Sequence, residues 1–197
     1  MIADRRLLSL VAVAALAGCG LLSGPSVPPT RFYVLTPDAV AAPRLSGFAI
    51  GLGPLRVPGY LDRPEMAVRR DANHIDYQET ARWAEPLKDN FARVLGTDLG
   101  QRLGTDRIIP FPWYRNQTPD YTVSIDVVRF ERQAGDEAAL LARWTLHAAK
   151  GDAPLAANLA DLRRPADTPD ATAAALSALT ADLAQQIADA ITQHAGR

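Results

Sequence analysis

The distribution of apolar and polar residues predicts two groups of β-strands, each followed by a helix. Short runs rich in β-branched and aromatic residues, bounded by proline, glycine or asparagine, are typical of strands. A turn at Asp71-Ala72-Asn73 should join the third and fourth runs as a hairpin. The first four predicted strands are Arg31 to Leu35, Phe48 to Val57, Glu65 to Arg70 and His74 to Gln78.

The spacing of apolar residues changes to three and four over residues 85–103, which indicates an amphipathic helix. Pro86 suits the first turn, where a missing N–H is tolerated, and Gly104 suits the helix end. Gly96 and Gly100 lie inside the helix, and we expect them to let it pack closely on a sheet. The apolar stripe consists of Leu87, Phe91, Val94, Leu95, Leu99 and Leu103.

Three or four strands follow this helix. Residues 107–111 form a short one, and the segment from Tyr121 alternates until Val128 and Phe130 break the phase, which predicts a bulge or burial on both faces. Alternation is more regular over residues 138–148, and a weaker strand is expected between Leu155 and Leu162. Within 138–148 the residues expected to face the core are Leu140, Ala142, Trp144 and Leu146, and those expected to face away are Arg143, Thr145 and His147.

The last predicted element is a helix. Thr168 suits the N-cap, Pro169 the first helical position and Asp170 the first turn. Its apolar stripe consists of Leu176, Leu179, Leu183, Ile187 and Ile191. The order ββββ-α-βββ(β)-α predicts a single α+β domain over residues 30–197, with two helices packed on one mixed or antiparallel sheet.

Residues 1–18 have the layout of a signal peptide. Two arginines precede an apolar run over residues 7–17, which is too short to span a bilayer. The run ends in Leu16-Ala17-Gly18-Cys19, a tetrapeptide that resembles the bacterial lipobox. The resemblance implies that Cys19 is lipidated, that the chain is cut before it, and that the new amino group is acylated. The alternative, an inert or buried thiol, is disfavoured by the position of Cys19 directly after the apolar run.

Residues 20–29 read GLLSGPSVPP and have no helical or strand period, which indicates a flexible tether between Cys19 and the domain. Ten residues extend at most about 35 Å. Gly20 stands where, in Gram-negative sorting, an aspartate favours retention in the inner membrane. We therefore expect export to the outer membrane, with the domain facing the periplasm.

Composition excludes several classes of function. The chain has 197 residues, a formal net charge of −1 and no cluster of lysine and arginine with interleaved aromatics, so we predict no nucleic-acid partner. A single cysteine excludes an intramolecular disulfide and a cysteine metal cage. His74, His147 and His194 lack metal-ligand spacing, and no serine stands in a nucleophile elbow. We therefore predict no enzyme activity, catalytic residue, metal or cofactor.

Two further groups of residues are interpreted as structural. Gly51 and Gly53 are followed by Pro54 and a strand rather than by a helix, so they indicate a bend or a close approach instead of a phosphate loop. Glu131, near Asp136 in the sequence, is expected to lie in a solvated turn.

Four residues are candidates for a partner or oligomer interface. Tyr60, Leu61 and Arg63 lie in the loop Gly59 to Pro64, and Trp83 lies at the predicted start of the first helix. Tyrosine, tryptophan and arginine are favoured at interface hot spots. The alternatives are that Tyr60 folds back on the domain and that Trp83 staples the helix to the sheet, and for Trp83 we favour the staple.

Six short segments occur in an order that resembles the ABC-type transport auxiliary lipoproteins, the PqiC-like family. The resemblance covers most of the chain from about Thr30 to Trp144. The segments are residues 31–35 (RFYVL), 53–58 (GPLRVP), 60–64 (YLDRP), 82–87 (RWAEPL), 120–121 with 129–131 (DY and RFE) and 142–144 (ARW).

The resemblance implies an outer-membrane lipoprotein that works with MCE-domain proteins, which form conduits for phospholipid between the two membranes, and with integral inner-membrane proteins. It also implies a homo-oligomeric ring that docks the conduit. We therefore predict a non-enzymatic subunit of an MCE-type lipid transport system. Two alternatives remain: a lipid-binding carrier with an apolar cavity between sheet and helix, and a structural scaffold of another export system.

Overall fold

The computed structural model describes residues 28–38, 47–114, 116–151 and 153–195. The signal peptide, Cys19 and most of the predicted tether lie outside these residues. The predicted order of elements is confirmed, with the eighth strand present. The elements are β1 (Arg31–Tyr33), β2 (Ile50–Arg56), β3 (Glu65–Arg69), β4 (Ile75–Trp83), α1 (Leu87–Leu103), β5 (Ile108–Pro110), β6 (Tyr121–Gln133), β7 (Glu137–Ala148), β8 (Ala156–Pro165) and α2 (Pro169–Ala195).

The eight strands form one mixed sheet that branches at β6. On one edge, β6 pairs with β7 in antiparallel register, and β7 pairs with β8. On the other edge, residues 121–126 pair in parallel with β2, whereas residues 132–133 pair in parallel with β3. The β2 limb ends at β5, and the β3 limb continues through β4 to β1, so the sheet has two separate edges on this side.

The predicted break of phase in β6 is a bulge. The pairing of β6 with β7 shifts between Val127 and Arg129, and both Val127 and Phe130 are buried as a result. The ring of Phe130 then meets Phe91 of α1 edge to face, with 5.0 Å between the ring centroids. The bulge therefore keeps the second half of β6 packed on the helices.

The predicted apolar stripes are confirmed in both helices, which pack on one face of the sheet and on each other. The four inward residues predicted for β7 are also buried. Among the described residues, neither helix is both long and apolar enough to cross a membrane.

Most predicted strand ends differ from the structure by one to three residues, and the end of β4 differs most. β4 extends to Trp83 instead of ending near Gln78, because residues 81–83 pair with β1. Since the chain is still extended there, α1 begins at Leu87, and Pro86 stands just before the helix rather than in its first turn. The two predicted helix caps are confirmed: Gly104 has a left-handed φ of 63° after α1. The Thr168 hydroxyl accepts a hydrogen bond from the Ala171 N–H at the start of α2.

The glycines of α1 and β2 lie where other groups come close. A Cβ atom at Gly96 would stand 3.3 Å from Ile108 and 3.4 Å from Leu52, so α1 packs closely on the β2 limb, as predicted. A Cβ atom at Gly51 would stand 2.7 Å from the ring of Trp113. The expectation of a close approach to the glycines of β2 is therefore confirmed.

Gly53 provides a test of this packing. Its φ is +124°, and an added Cβ would lie 2.5 Å from Cβ of Phe111. Because both the backbone conformation and the contact exclude a side chain, Gly53→Ala should lower the free energy of unfolding by about 2–4 kcal/mol. Urea unfolding of the domain produced without residues 1–19 measures the loss. Gly59→Ala is the control, since a Cβ there meets no atom within 4 Å, and equal losses in the two variants would contradict the packing.

Candidate functional site

The segment that leads from the predicted tether into the domain is fastened at several points. We call residues 31–38 the N-terminal strap. Arg31 donates to a carboxylate oxygen of Asp170 at 2.9 Å, and the Tyr33 hydroxyl donates to the same oxygen at 3.3 Å. After β1 the strap leaves the sheet and runs against both helices, where Leu35 is only 1% exposed.

Helix side chains replace a neighbouring strand as partners of the strap after β1. Asn90 and Asp98 of α1 and Ser177 of α2 are buried and accept from its backbone. The bonds are Leu35 N–H to Asn90 Oδ1 at 3.2 Å, Thr36 N–H to Ser177 Oγ at 3.2 Å, and Asp38 N–H to Asp98 Oδ1 at 2.8 Å. These contacts satisfy backbone donors that would otherwise be buried without partners. None of these three acceptors was predicted from the sequence, because they are polar residues beside the apolar stripes of the helices.

Burial raises the pKa of Asp98 above the ordinary aspartate value, although the N–H of Asp38 and the charge of Arg102 act in the opposite direction. A raised pKa means that the folded state favours the protonated carboxyl. This group therefore contributes to stability at acidic pH, and the contribution is lost as the pH rises through its folded pKa.

A second polar centre lies beneath the loop between β2 and β3. The side chain of Glu131 is fully buried and accepts four hydrogen bonds. Arg69 Nε and Gln133 Nε2 both donate to Oε1 at 2.9 Å. The Tyr60 hydroxyl donates to Oε2 at 2.9 Å, and the Phe130 N–H donates to the same oxygen at 2.8 Å. Each carboxylate oxygen thus has two donors.

The expectation that Glu131 lies in a solvated turn is wrong. The bulge at Val128 changes the phase of β6, and Glu131 falls where the edge of β6 passes from β2 to β3, under the Tyr60 loop. The broken alternation predicts the bulge, but it does not indicate which polar residue the loop covers. Burial, followed by the negative charge of Glu131, raises the pKa of Tyr60 to about 12.

The four candidate interface residues occupy different environments. Leu61 and Trp83 are 3% and 5% exposed and belong to the core, and Tyr60 folds back so that its hydroxyl reaches Glu131. Arg63 remains exposed and lies over the ring of Tyr77, 4.4 Å from its centroid. A partner at this loop would therefore contact Arg63 and the accessible edge of Tyr60 rather than Leu61 or Trp83. That a partner binds here stays a prediction.

A long groove runs along the surface where α1 packs on the β2 limb and has a volume of about 1430 Å³. We call it the α1 groove. Leu52, Leu55, Ile108 and Phe111 line its sheet side. A smaller depression of about 390 Å³ adjoins it, and Leu55 and Lys88 line both.

Titratable groups are dispersed in the part of the chain that the structure describes. No three histidine, cysteine, aspartate or glutamate side chains come together there as a metal site. His74 Nε2 lies 3.0 Å from Asp76, and His194 Nδ1 lies 2.8 Å from the carbonyl of Ala190.

Known proteins resemble this chain in sequence pattern and in fold. A family model described as ABC-type transport auxiliary lipoprotein component matches residues 33–188. A crystal structure of a DUF330 protein from Xanthomonas campestris is 17% identical, with a TM-score of 0.69 over 85% of this chain and 100% of that chain. A crystal structure of an uncharacterized protein is also 17% identical, with a TM-score of 0.66 over 83% and 99% of the two chains. Both show a shared fold. No curated protein matches the sequence.

Removal of the Glu131 carboxylate should be strongly destabilising. Glu131→Ala leaves the guanidinium of Arg69 partly buried without its partner, and we expect a loss of about 3–5 kcal/mol in the free energy of unfolding. Asp182→Ala is the control. Asp182 forms an ion pair with Arg164 in which the side chains are 39% and 45% exposed, respectively, so this pair should contribute less than about 1 kcal/mol. Urea unfolding of both variants measures the difference, and similar losses would refute a special role of Glu131.

Tyr60 should titrate well above the ordinary tyrosine pKa. Its pKa is about 12, compared with an ordinary value of 10, so the folded state favours the neutral phenol. Its contribution to stability is complete below pH 10 and is lost as the pH rises towards 12. Phenolate absorbance followed against pH should show a transition near pH 12 that Tyr60→Phe removes. An unchanged upper part of the curve in that variant would contradict the assignment.

Proposed function

The chain belongs to the family of ABC-type transport auxiliary lipoprotein components, and from this premise we propose that it is a non-enzymatic subunit of an MCE-type system that moves phospholipid between two membranes. Cys19 anchors it to the outer membrane, and its domain faces the periplasm. There it docks the conduit formed by an MCE-domain protein, which continues to integral inner-membrane subunits. Several copies surround the conduit as a ring.

The N-terminal strap is the observation that carries this proposal. The predicted tether of residues 20–29 leads directly into residues bound to β4, α1 and α2. A pull on the anchor is therefore distributed over the sheet edge and both helices instead of unravelling a free end. A docking subunit needs this property, because it must hold a partner at a fixed distance from the membrane.

The environment of the buried acids also supports a binding role. Glu131 uses both oxygens within the fold, and Asp98 uses one oxygen to hold the strap. Their evident use is structural. Anchoring a binding domain raises the effective concentration of its partner at the membrane, and this positional effect requires no bond to be made or broken.

The α1 groove favours a second candidate, a periplasmic lipid carrier. An apolar groove between a helix and a sheet is the feature that this alternative requires. Extraction of the purified protein followed by mass spectrometry of lipids tests it. Stoichiometric phospholipid without any co-purifying envelope protein would favour the carrier over the docking subunit.

Cys19 and its partners can be tested in one experiment on the full chain with a C-terminal tag. The native chain should fractionate with the outer membrane and co-purify with an MCE-domain protein after mild detergent extraction. Cys19→Ala should keep the precursor length and lose both properties, because cleavage and sorting follow lipidation. Ser23→Ala in the tether is the matched control and should behave as the native chain.

A sensitivity assay completes this experiment. Deletion of the gene should sensitise cells to detergent, and the Ser23→Ala chain should restore resistance where Cys19→Ala does not. If no MCE-domain protein co-purifies and detergent sensitivity is unchanged, the proposed function is wrong.

A further inference from the structure

The dimensions of the α1 groove suit a long and thin ligand. Its helix wall runs from Lys88 to Gly104, and at 1.5 Å per residue this wall is about 24 Å long. One leaflet of a bilayer has a hydrocarbon thickness of about 15 Å. The volume of the groove, about 1430 Å³, exceeds the roughly 300–1,000 Å³ of pockets for drug-sized molecules. The groove is therefore long enough for an extended acyl chain.

Apolar residues line both sides of the groove, together with charged residues of both signs. Ala92 and Gly96 lie on its helix side, and Leu52, Leu55 and Ile108 lie on its sheet side, with Gly96 packed against Leu52 and Ile108. The ring of Phe111, which is 51% exposed, also lines the groove. Burial of apolar surface contributes about 25 cal/mol per Å², so these walls would stabilise a hydrocarbon chain laid against them.

The backbone at the groove disfavours a docked β-strand. β5 has three residues and forms the edge of the β2 limb. The Phe111 N–H and the Arg107 carbonyl already form hydrogen bonds with β2, at 2.9 Å each. The backbone N–H and C=O groups of the alternate residues, Ile108 and Pro110, therefore point to the free edge. Pro110 has no N–H, and a strand added here would find a single donor within β5. Backbone pairing is therefore a poor basis for binding here, and side-chain contacts have to recognise the occupant.

The adjoining depression carries a net positive charge. Its charged side chains are Lys88, Arg56 and Asp62, two cations and one carboxylate. Among the described residues, neither Lys88 nor Arg56 forms an ion pair. In contrast, Arg93 of the main groove is held by Glu85 at 2.6 Å. A single anionic group, such as a phosphodiester, would complement the charge of this depression.

We propose that the α1 groove binds one phospholipid, with an acyl chain along the apolar walls and the phosphate at Lys88 and Arg56. This inference rests on the proposed function, because it gives the docking subunit a direct contact with the transported lipid. Lipid would pass along this face of α1 on its way to or from the anchored membrane.

Photo-crosslinking of the full chain in cells tests the site. Cells are grown with radioactive phosphate, and benzoylphenylalanine replaces Thr97, an exposed residue of the groove, or Ala174, an exposed residue of α2 outside it. After irradiation the protein is purified under denaturing conditions. We expect labelled phospholipid on the Thr97 chain and background label on the Ala174 chain. The anchor expected at Cys19 contains no phosphate, so it does not contribute label.

Filling the groove should abolish the label. Ala92→Trp, combined with the photoreactive residue at Thr97, should reduce labelling to background, whereas the matched Ala174→Trp should leave it unchanged. Should Ala92→Trp fail to accumulate, Lys88→Gln with Arg56→Gln gives a second measurement. Loss of these exposed charges should lower the label at least about threefold.

Three results would overturn the site: equal label at Thr97 and Ala174, label that persists in Ala92→Trp, or a protein adduct at Thr97 without lipid. Co-purification of the MCE-domain protein from the same cells separates this inference from the proposed function. If the partner is retained and lipid label is absent, the proposed lipid site in the α1 groove is wrong, and the docking function stands. If lipid is labelled and no partner is found, the groove stands and the docking function is wrong.

Discussion

One edge of β6 has to serve two parallel partners, and the arrangement of the domain depends on how it does so. β2 pairs with the first half of this edge and β3 with its end, so the ladder of hydrogen bonds along the edge is interrupted between residues 126 and 132. The gap is closed by the Tyr60 loop and by the Glu131 carboxylate, which draws donors from β3, β6 and the loop. The charge is tolerated because both oxygens are fully hydrogen-bonded. Without this carboxylate, Tyr60, Arg69 and Gln133 would lose the acceptor that they share.

The N-terminal strap extends the same principle to the helices. Asn90, Asp98 and Ser177 supply, from side chains, the acceptors that a neighbouring strand would supply in a sheet. The strap is therefore part of the folded domain. The groove on another face of α1 remains open, so one helix serves both the attachment of the chain and the proposed contact with lipid.

Local periodicity explains which features could be predicted from the sequence. The stripes of both helices, the alternation of β7 and the bulge of β6 depend on neighbours within a few residues, and all were predicted. Glu131, Asn90 and Asp98 were not, because they bind Tyr60, Arg69 and the strap backbone, which lie about 55 to 70 residues away in the chain. The burial of Leu61 and Trp83 likewise depends on distant packing. The anchor at Cys19 lies outside the described residues and stays a prediction.

The shared edge of β6 also determines when the domain can fold. Ile50 pairs with Tyr121, and Arg69 pairs with Gln133, so β2 cannot join β6 before residues 121–126 are available, and β3 cannot join it before residues 132–133 are. Pairings so distant in sequence close large loops and slow the folding reaction. Strands β1 to β4 are therefore complete in the chain before β6, the strand that must join them, is available.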